Sequence, residues 1–430
     1  MESALNTGDT AWVLTAAAMV LLMIPGLAFF YGGMARSKSV LNVLMMVMGV
    51  LFIVGVLWVL FGYSIAFGTS TNGLFGNPTE AFGLEGLMTD DAEAVLPIMA
   101  FVAFQAMFAC LTVGLIAGAV PDRMKFAAWL VFGAIWAIIV YFPVAHWVWA
   151  PGGWIFELGV IDFAGGTAVH INAGAAALAL AIIVGRRLGW PKTPMRPHNL
   201  TLVMLGAGLL WFGWFGFNAG SALAANNTAA VVVVNTLAAT CAAAIGWLLV
   251  EKFRDGHMTT LGAASGIVAG LVAITPACSA VSPLGALLLG VIAGAVCAWA
   301  VSWKYRFGYD DSFDVVGVHL VGGLVGTLLI GILATEAAPA GVNGLLYGGG
   351  ADQLGKQAIG AFAVMFYSLI VAGIIAAIIK AVRGVRVSDE VEVSGIDLAE
   401  HAESAYELGD SGSGGSFIGV GHAARAKEVE

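Results

Sequence analysis

The chain has 430 residues, of which 60% are hydrophobic and 10% are charged, and its mean hydropathy is +0.93. A soluble domain carries about 25% charged residues, so this composition excludes a water-soluble protein and predicts that most of the chain lies in lipid. The net charge is −9, and residues 384–430 supply −7 of it, with ten acidic and three basic residues. The rest of the chain is nearly neutral, which gives no support to nucleic-acid binding.

The four cysteines show no metal-type spacing. They lie in or beside apolar runs and are predicted to be small core residues: Cys110, Cys241, Cys278 and Cys297. Residues 1–9 hold two acidic residues and no basic one. The sequence therefore predicts no cleavable signal peptide, and a first apolar run that is retained.

In chain order, eleven apolar runs are long enough to cross ~30 Å of hydrocarbon, which needs about 20 helical residues. Membrane strands would show short alternating segments instead, so each run is predicted to be a helix. The runs lie at roughly 10–32, 40–67, 95–119, 124–143, 163–185, 199–219, 228–250, 258–275, 281–301, 315–335 and 357–383.

Basic residues mark every second loop. Seventeen of the eighteen Lys and Arg residues follow the odd-numbered runs or lie in the tail, and Lys356 is the exception. The positive-inside rule then predicts an N-terminus outside and a cytoplasmic C-terminus. The same alternation requires an odd number of spans, which agrees with eleven.

Two histidines lie inside apolar runs, His170 in the fifth and His319 in the tenth. A polar side chain within the hydrocarbon is costly and is treated as a functional candidate. The two runs point in opposite directions, and residues 169–174 resemble residues 318–323. This pattern predicts two inverted five-helix repeats with a shared site near the midplane, followed by an eleventh helix.

Two other interpretations of these histidines stay open. They could be unrelated core residues, each bonded to a carbonyl. On the run boundaries above they could also differ in depth by about 15 Å. Each follows a carboxylate, Asp162 or Asp314, for which a helix cap is the ordinary role.

The residues around the histidines do not suggest a metal, a cofactor or an enzyme. No third histidine, cysteine or carboxylate lies at helical spacing from either of them to complete a coordination shell. No nucleophile and base are paired in the apolar runs. A pair of neutral imidazoles can instead accept or pass a proton, or hydrogen-bond a small polar solute.

Aromatic residues collect toward the predicted outer end. Phe108 is in the third run, Trp149 lies just beyond the outer end of the fourth, and Ser221 follows the sixth. A single tryptophan there usually belongs to the interfacial belt. Together these residues predict a cation–π cage with one hydrogen-bond acceptor, suited to a small monocation. Asp162 either caps the fifth helix or supports that cation from a distance.

Four segments closely resemble the bacterial branch of the Amt/Mep/Rh ammonium transporters: residues 104–112, 162–173, 214–221 and 313–319. The resemblance covers nearly all of residues 10–408. It implies an all-α integral membrane protein with eleven transmembrane helices, in two inverted five-helix repeats plus a C-terminal strap helix. It also implies a homotrimer with one pore per subunit in the bacterial cytoplasmic membrane.

The resemblance assigns a role to each candidate side chain. The outer ammonium site is implied to consist of Trp149, Phe108 and Ser221 with Asp162 in support. Phe108 and Phe217 are implied to form a stacked gate. His170 and His319 are implied to be hydrogen-bonded neighbours that line the pore. Trp214, Phe30 and Tyr31 match pore-wall positions.

Domain boundaries follow from the last apolar run. Residues 1–383 are predicted to form the transporter domain and residues 384–430 a cytoplasmic tail. Composition alone favours an acidic disordered tail, and the Gly/Ser stretch at 409–416 is expected to be disordered. The resemblance instead implies an ordered regulatory segment on the inner face, where relatives receive a PII-type signal protein. Asp310, Asp311, Glu251 and Asp255 are expected to be ordinary loop charges.

The expected function is ammonium transport. An unpaired ion is costly in an apolar pore, and ammonium, unlike potassium, can avoid that cost by giving up a proton. Ammonium would bind outside, lose a proton near the gate, and cross as ammonia along the two histidines, with methylammonium as an analogue. An ammonium sensor and a passive ammonia channel are the alternatives.

Overall fold

A computed structural model describes residues 4–89 and 94–406. Within these ranges the chain is mostly helical, and ten helices are long and apolar enough to cross a bilayer. One further apolar helix, Thr260–Ile274, has 15 residues, which is about 22 Å against ~30 Å of hydrocarbon. Each predicted apolar run therefore contains a helix, and ten reach spanning length. The Gly/Ser stretch at 409–416 lies outside the described residues.

The apolar helices are labelled α1 to α11 in chain order. They are Thr7–Met34, Val40–Leu57, Ile98–Ile116, Phe126–Trp136, Asn172–Val184, Leu200–Gly220, Asn227–Asp255, Thr260–Ile274, Pro283–Ala300, Val321–Leu333 and Asp352–Arg383. Four π-helical stretches continue α2 and α4 and begin α5 and α10: Trp58–Gly62, Ala137–Tyr141, Gly166–Ile171 and Val316–Leu320. Helical turns Tyr63–Phe67 and Phe142–Trp149 complete α2 and α4.

The remaining elements are short. The short α-helices are Trp154–Glu157, Trp303–Phe307, Asp389–Ser394 and Ile396–His401, and the 3-10 turns are Phe82–Leu84, Ala117–Ala119 and Leu345–Tyr347. Strands β1 (Ser70–Thr71) and β2 (Phe75–Gly76) pair antiparallel. They lie in the loop after α2, at the same end of the molecule as Ser221.

Polar side chains begin several of the apolar helices. The side chain of Asn6 accepts hydrogen bonds from two backbone N–H groups of α1. One such hydrogen bond is accepted at the start of each of four further helices: by Asn199 at α6, Asn226 at α7, Thr259 at α8 and Ser282 at α9. These caps satisfy backbone donors that a helix leaves open. They also fix the residue at which each of these helices begins.

Glycines allow the helices to approach closely. A Cβ atom at Gly290 or Gly294 of α9 would collide with the backbone of Ala239 or Ala243 of α7. Any larger residue would push these two helices apart, because the obstructing atoms are backbone rather than flexible side chain. Small residues at these positions therefore allow a compact bundle.

The two histidine helices begin in buried loops. Asp162 and Ala164 before α5 are buried, as are Asp311 and Phe313 before α10. Each histidine lies in the first turns of its helix, so two helices that start inside the protein from opposite ends bring their first turns together. The depth difference of about 15 Å that hydropathy left open is therefore absent, because hydropathy places helix starts at the membrane surface whereas these two helices start inside the protein.

Residues 384–406 pack against the helix ends opposite to Ser221. The carboxylate of Asp397 accepts hydrogen bonds from the backbone N–H groups of Leu41 at 3.0 Å and Asn42 at 2.8 Å, at the start of α2. Met124 and Arg386 form an isolated antiparallel bridge. We call this side the tail end of the bundle, and the opposite side the Ser221 end.

Candidate functional site

The centre of the site is a pair of buried histidines. The Nδ1 atoms of His170 and His319 are 3.2 Å apart, and their ring centroids are 5.3 Å apart with an interplanar angle of 26°. Their exposed fractions are 0% and 3%. The structure thus brings together the two imidazoles that the sequence places 149 residues apart.

This contact fixes the tautomers of the pair. A hydrogen bond between two Nδ1 atoms needs one proton, so one neutral ring is protonated at Nδ1 and the other at Nε2. The first ring then presents Nε2 as an acceptor and the second presents it as a donor. Among the described residues, Nε2 of His170 has no hydrogen-bond partner although it is buried. A small polar solute could satisfy that atom.

Aromatic rings lead away from the histidine pair toward the Ser221 end. The ring of Trp214 stacks on His170 with centroids 5.4 Å apart, and its Nε1–H donates to Oγ1 of Thr275 at 2.8 Å. Phe217 lies 6.1 Å from His170 and stacks on Phe108 at 4.1 Å and 27°. Phe108 and Phe217 therefore form one stacked layer directly above His170.

A small cavity lies beyond this layer. It has a volume of about 140 Å³, and Phe108, Trp149, Ser221 and Gln105 are among its lining residues. The ring of Trp149 stands edge-on to Phe108, with centroids 5.9 Å apart. The hydroxyl of Ser221 donates to the carbonyl of Phe217 at 2.9 Å, which leaves its oxygen lone pairs available as acceptors. The cavity thus combines aromatic rings with a hydroxyl acceptor.

Asp162 caps the start of the fifth helix. Its carboxylate accepts hydrogen bonds from the backbone N–H groups of Gly165 at 3.1 Å, Thr167 at 3.0 Å and Ala168 at 2.9 Å. Its backbone carbonyl accepts the Nε1–H of Trp149 at 2.9 Å. Burial raises the pKa of Asp162 to about 6, although these backbone donors oppose the rise. Asp162 therefore orients Trp149 through its backbone while its side chain holds the helix start.

Asp311, rather than Asp314, is the matching cap at the start of the tenth helix. Its Oδ2 accepts the backbone N–H of Val316 at 2.8 Å, and its side chain is buried. Burial, reinforced by the nearby Asp314, raises the pKa of Asp311 to about 7. Asp314 instead pairs with Nζ of Lys304 at 2.7 Å. The expectation that Asp311 is an ordinary loop charge is wrong, because its carboxylate is enclosed by the loop that leads into α10.

Two glycines set the distance between the histidine helices. Gly174 follows His170 by four residues, so it lies one turn further along the same face of α5. A Cβ atom there would lie 2.5 Å from the backbone nitrogen of Leu320, the residue after His319. Gly323 follows His319 by four residues, and its Cβ would lie 2.9 Å from a side-chain carbon of Ile171, the residue after His170. We call this reciprocal contact the glycine cross.

The sequence and structure comparisons agree on one family. A sequence model described as the Ammonium Transporter Family matches residues 11–406. The chain is 59% identical to an ammonium transporter of Mycobacterium tuberculosis over 431 residues, covering 93% of this chain and 90% of the relative. It is 47% identical to an ammonium transporter of Aquifex aeolicus over 410 residues, covering 95% of each. The chain belongs to the ammonium transporter family.

Solved structures give the same result. The structure of a protein named "Sensor Amt Protein" has a TM-score of 0.85 and 31% identity, covering 92% of this chain and 98% of that one. Mep2 of Saccharomyces cerevisiae has a TM-score of 0.82 and 34% identity, covering 90% and 88%. This ammonium transporter family member is accordingly a multi-pass membrane protein, as its composition predicts.

The structure does not place all the predicted pore residues at the same point. The ring of Tyr31 packs on Phe313 at 5.4 Å, and its hydroxyl donates to the carbonyl of Leu115 at 2.9 Å. Phe30 packs beside Tyr31 at 6.0 Å. Tyr31 therefore lies next to the loop that leads into α10, on the tail side of the histidines, with Phe30 beside it, whereas Trp214 stacks on His170 itself.

A buried charge cluster joins four loops at the tail end. Arg187 donates to Asp310 through Nε at 2.9 Å and Nη2 at 2.8 Å, and its Nη1 lies 3.3 Å from Asp122. Asp122 also pairs with Arg36 at 3.0 Å. Burial alone would raise the pKa of both carboxyls, but hydrogen bonds and charge from the arginines hold both pKa values below their ordinary range. The prediction that Asp310 is an ordinary loop charge is wrong.

Some functional candidates were missed although the sequence contains a signal for them. Asp162 precedes His170 by eight residues, and Asp311 precedes His319 by the same interval. The glycines four residues after each histidine also repeat. Gln105 lies in one of the four segments that carry the family resemblance but has no signal of its own. Glu251, expected at the surface, is buried and accepts the backbone N–H of Thr259 at 3.0 Å.

Proposed function

We propose that this protein transports ammonium nitrogen by binding ammonium at the Ser221 end, removing a proton and conducting ammonia past the two histidines. The main support is the Nδ1 contact of His170 and His319 at 3.2 Å, behind a stacked aromatic layer, in a chain of the ammonium transporter family. These histidines, unlike a surface pair, are buried, and a solute arriving from the Ser221 end meets the aromatic layer before it reaches them.

The cavity lined by Trp149, Phe108 and Ser221 is the proposed recruitment site. Aromatic faces attract a cation within about 6 Å, and the Ser221 oxygen accepts a hydrogen bond from it. Asp162 acts at a distance, because its carboxylate is occupied by three backbone donors. Gln105 supplies a further polar group in the cavity wall.

The stacked rings of Phe108 and Phe217 form the proposed gate. Rings 4.1 Å apart leave no room for a hydrated ion, and an unpaired ion behind them would carry a large desolvation cost. Ammonium can lower this cost by losing a proton, whereas potassium cannot. Selectivity therefore comes from the need to shed charge at the gate.

The opposed tautomers of the histidines suit ammonia as the species that crosses. Ammonia both donates and accepts hydrogen bonds, and the pair offers one Nε2 acceptor and one Nε2–H donor. The buried Nε2 of His170, without a partner among the described residues, is the proposed acceptor. Trp214 holds the His170 ring from one face.

We further propose eleven spans in two inverted five-helix repeats, with α11 as the strap helix. The matched capping aspartates and the glycine cross support this repeat. A homotrimer, an N-terminus outside and a tail facing the cytoplasm follow from the family and from the basic loops. The tail end is the proposed docking face for a PII-type protein. Residues 384–406, which pack against the helix ends there, form part of this proposed face.

The decisive experiment replaces both histidines. The double variant His170→Leu/His319→Leu should lose saturable methylammonium uptake in cells and reconstituted vesicles. His257→Gln, at an exposed histidine, is the matched control. Unchanged selective uptake by the double variant would remove the histidines from the mechanism. Currents on ammonium addition test proton coupling, since flux without current would support a passive ammonia channel.

A sensor is the second candidate, because one similar solved structure is that of a protein named "Sensor Amt Protein". A sensor would bind ammonium with little flux. Methylammonium uptake by the wild-type protein at a rate that saturates with concentration would favour a transporter. Binding without uptake would favour a sensor.

A further inference from the structure

A groove on the outer surface of the bundle lies at the tail end. It has a volume of about 650 Å³ and runs between the C-terminal half of α5, the short helix Trp303–Phe307 and the start of α10. Its walls are mainly aliphatic and include Leu178, Ile182, Leu320 and Leu324. The wall from residue 316 to residue 324 is about 12 Å long at 1.5 Å per residue. A transmembrane helix of a partner needs ~30 Å, so the groove suits a narrower and shorter occupant.

The mouth of the groove is basic. Arg186 is exposed, and its Nε donates to the carbonyl of Gly308 at 2.7 Å, which fixes the guanidinium at the groove's end. Arg306 is exposed on the short helix Trp303–Phe307, and its guanidinium lies 5.8 Å from the ring of Phe307, which lines the groove. Within residues 4–89 and 94–406, neither arginine forms an ion pair. Asp310 also lines the groove, but it is buried and bound by Arg187.

Aromatic side chains surround this mouth. The guanidinium of Arg186 lies 5.3 Å from the ring of Trp190, which stacks on Tyr305 at 5.7 Å and 7°. Tyr305 and Trp303 are 60% and 42% exposed. Exposed tryptophan and tyrosine beside arginine are typical of the level of lipid headgroups. The aliphatic part of the groove then extends into the hydrocarbon.

We propose that this groove binds a phospholipid with an anionic headgroup. One acyl chain lies along Leu178, Ile182 and Leu324, and the phosphate is bound by Arg186 and Arg306. Lipid tails are as apolar as the groove walls, so the acyl chain alone supplies little preference over the bulk bilayer. Selectivity must therefore come from the headgroup, where each arginine favours an anionic lipid by about fivefold.

The groove also reaches the backbone stretch that carries His319. Val316 and Leu320 line it and are the first and last residues of the π-helical stretch that carries His319. A bound acyl chain would support this stretch from the outside. The binding proposal does not depend on the transport proposal, because it can be tested without measuring flux.

The test measures lipid binding to the full-length purified protein by native mass spectrometry, with phosphatidylglycerol and phosphatidylcholine of identical chains. We expect phosphatidylglycerol to bind at least tenfold more tightly. The double variant Arg186→Gln/Arg306→Gln should abolish that preference. Ile182→Trp should weaken the binding of both lipids, because the larger side chain narrows the groove. Arg254→Gln is the matched control, since Arg254 also lies over a tryptophan ring, 5.5 Å from Trp299, but away from the groove.

Four outcomes would overturn the proposal. The first is equal binding of the two lipids. The second is an unchanged preference in the double arginine variant, shown to be folded by its melting temperature. The third is a crosslink from residue 182 to a second copy of the chain, which would make the groove a subunit interface. Soluble glycerol phosphate should bind far more weakly, and its equal binding, the fourth outcome, would reduce the site to a phosphate site without a lipid chain.

Discussion

The glycine cross gives the sharpest prediction about the histidine pair. In Gly174→Ala the new Cβ would lie 2.5 Å from the nitrogen and 2.6 Å from the Cβ of Leu320, where carbon atoms normally lie 3.5–4.0 Å apart. The helices must separate by about 1 Å at this point. The Nδ1–Nδ1 distance of 3.2 Å would then exceed ~3.5 Å, beyond which the hydrogen bond is lost.

The loss can be expressed as a rate. A hydrogen bond contributes about 1–1.5 kcal/mol, so we expect maximal methylammonium uptake to fall by about tenfold in Gly174→Ala. The apparent affinity should stay unchanged, because the recruitment cavity is not displaced. Overpacking should also lower the free energy of unfolding by about 1–3 kcal/mol. Uptake in cells and a melting curve in detergent measure the two effects separately.

The chain supplies a graded set of controls. In Gly323→Ala the new Cβ would lie 2.9 Å from its nearest neighbouring atoms. The helices then need to move less than in Gly174→Ala, and uptake should fall by a smaller factor. Gly208→Ala meets nothing within 4 Å and should stabilise α6 by about 0.5–1 kcal/mol without changing uptake. The loss of uptake is therefore expected to be largest in Gly174→Ala, smaller in Gly323→Ala and absent in Gly208→Ala. Wild-type uptake in a folded Gly174→Ala variant would refute the role of the cross in positioning the histidines.

Three further predictions concern single polar groups. Burial raises the pKa of Asp162 to about 6 from an ordinary 3.8, so the wild type's stability relative to Asp162→Asn should fall by about 3 kcal/mol as the pH rises from about 3 to about 8; equal slopes in melting experiments would contradict this. Asp310→Asn leaves the buried Arg187 poorly paired and should cost about 3–5 kcal/mol, whereas a melting temperature within 1–2 °C of wild type would show the pair to be dispensable. Ser221→Ala removes an acceptor for a cation and should raise the uptake KM by about tenfold at constant maximal rate; an unchanged KM would exclude Ser221 from the cavity's binding function.

The fold was predictable from the sequence where hydropathy determines it. Long apolar runs must be helical in lipid because their backbone groups can be satisfied only internally, and helices are present in all eleven runs. Hydropathy does not specify where a helix starts inside a protein. The starts of α5 and α10 are determined by Asp162 and Asp311, which accept hydrogen bonds in buried loops, and so hydropathy alone left the relative depth of the two histidines open.

The site was predictable as a set of residues but not as a geometry. His170 and His319 stand out because polar groups are rare in apolar helices, yet their contact depends on two glycines without side chains. A glycine in an apolar helix is common, so neither Gly174 nor Gly323 is conspicuous alone. Only their equal spacing from the two histidines distinguishes them.

The same spacing connects the site to the architecture. A carboxylate eight residues before each histidine and a glycine four residues after it make two equivalent half-sites. Each glycine contacts the residue that follows the opposite histidine, so each half-site positions the contact surface of the other. A change in one half must therefore disturb both imidazoles. This reciprocity explains how a single hydrogen bond between two histidines 149 residues apart can be held at 3.2 Å, and it makes the pair sensitive to one added methyl group on either side.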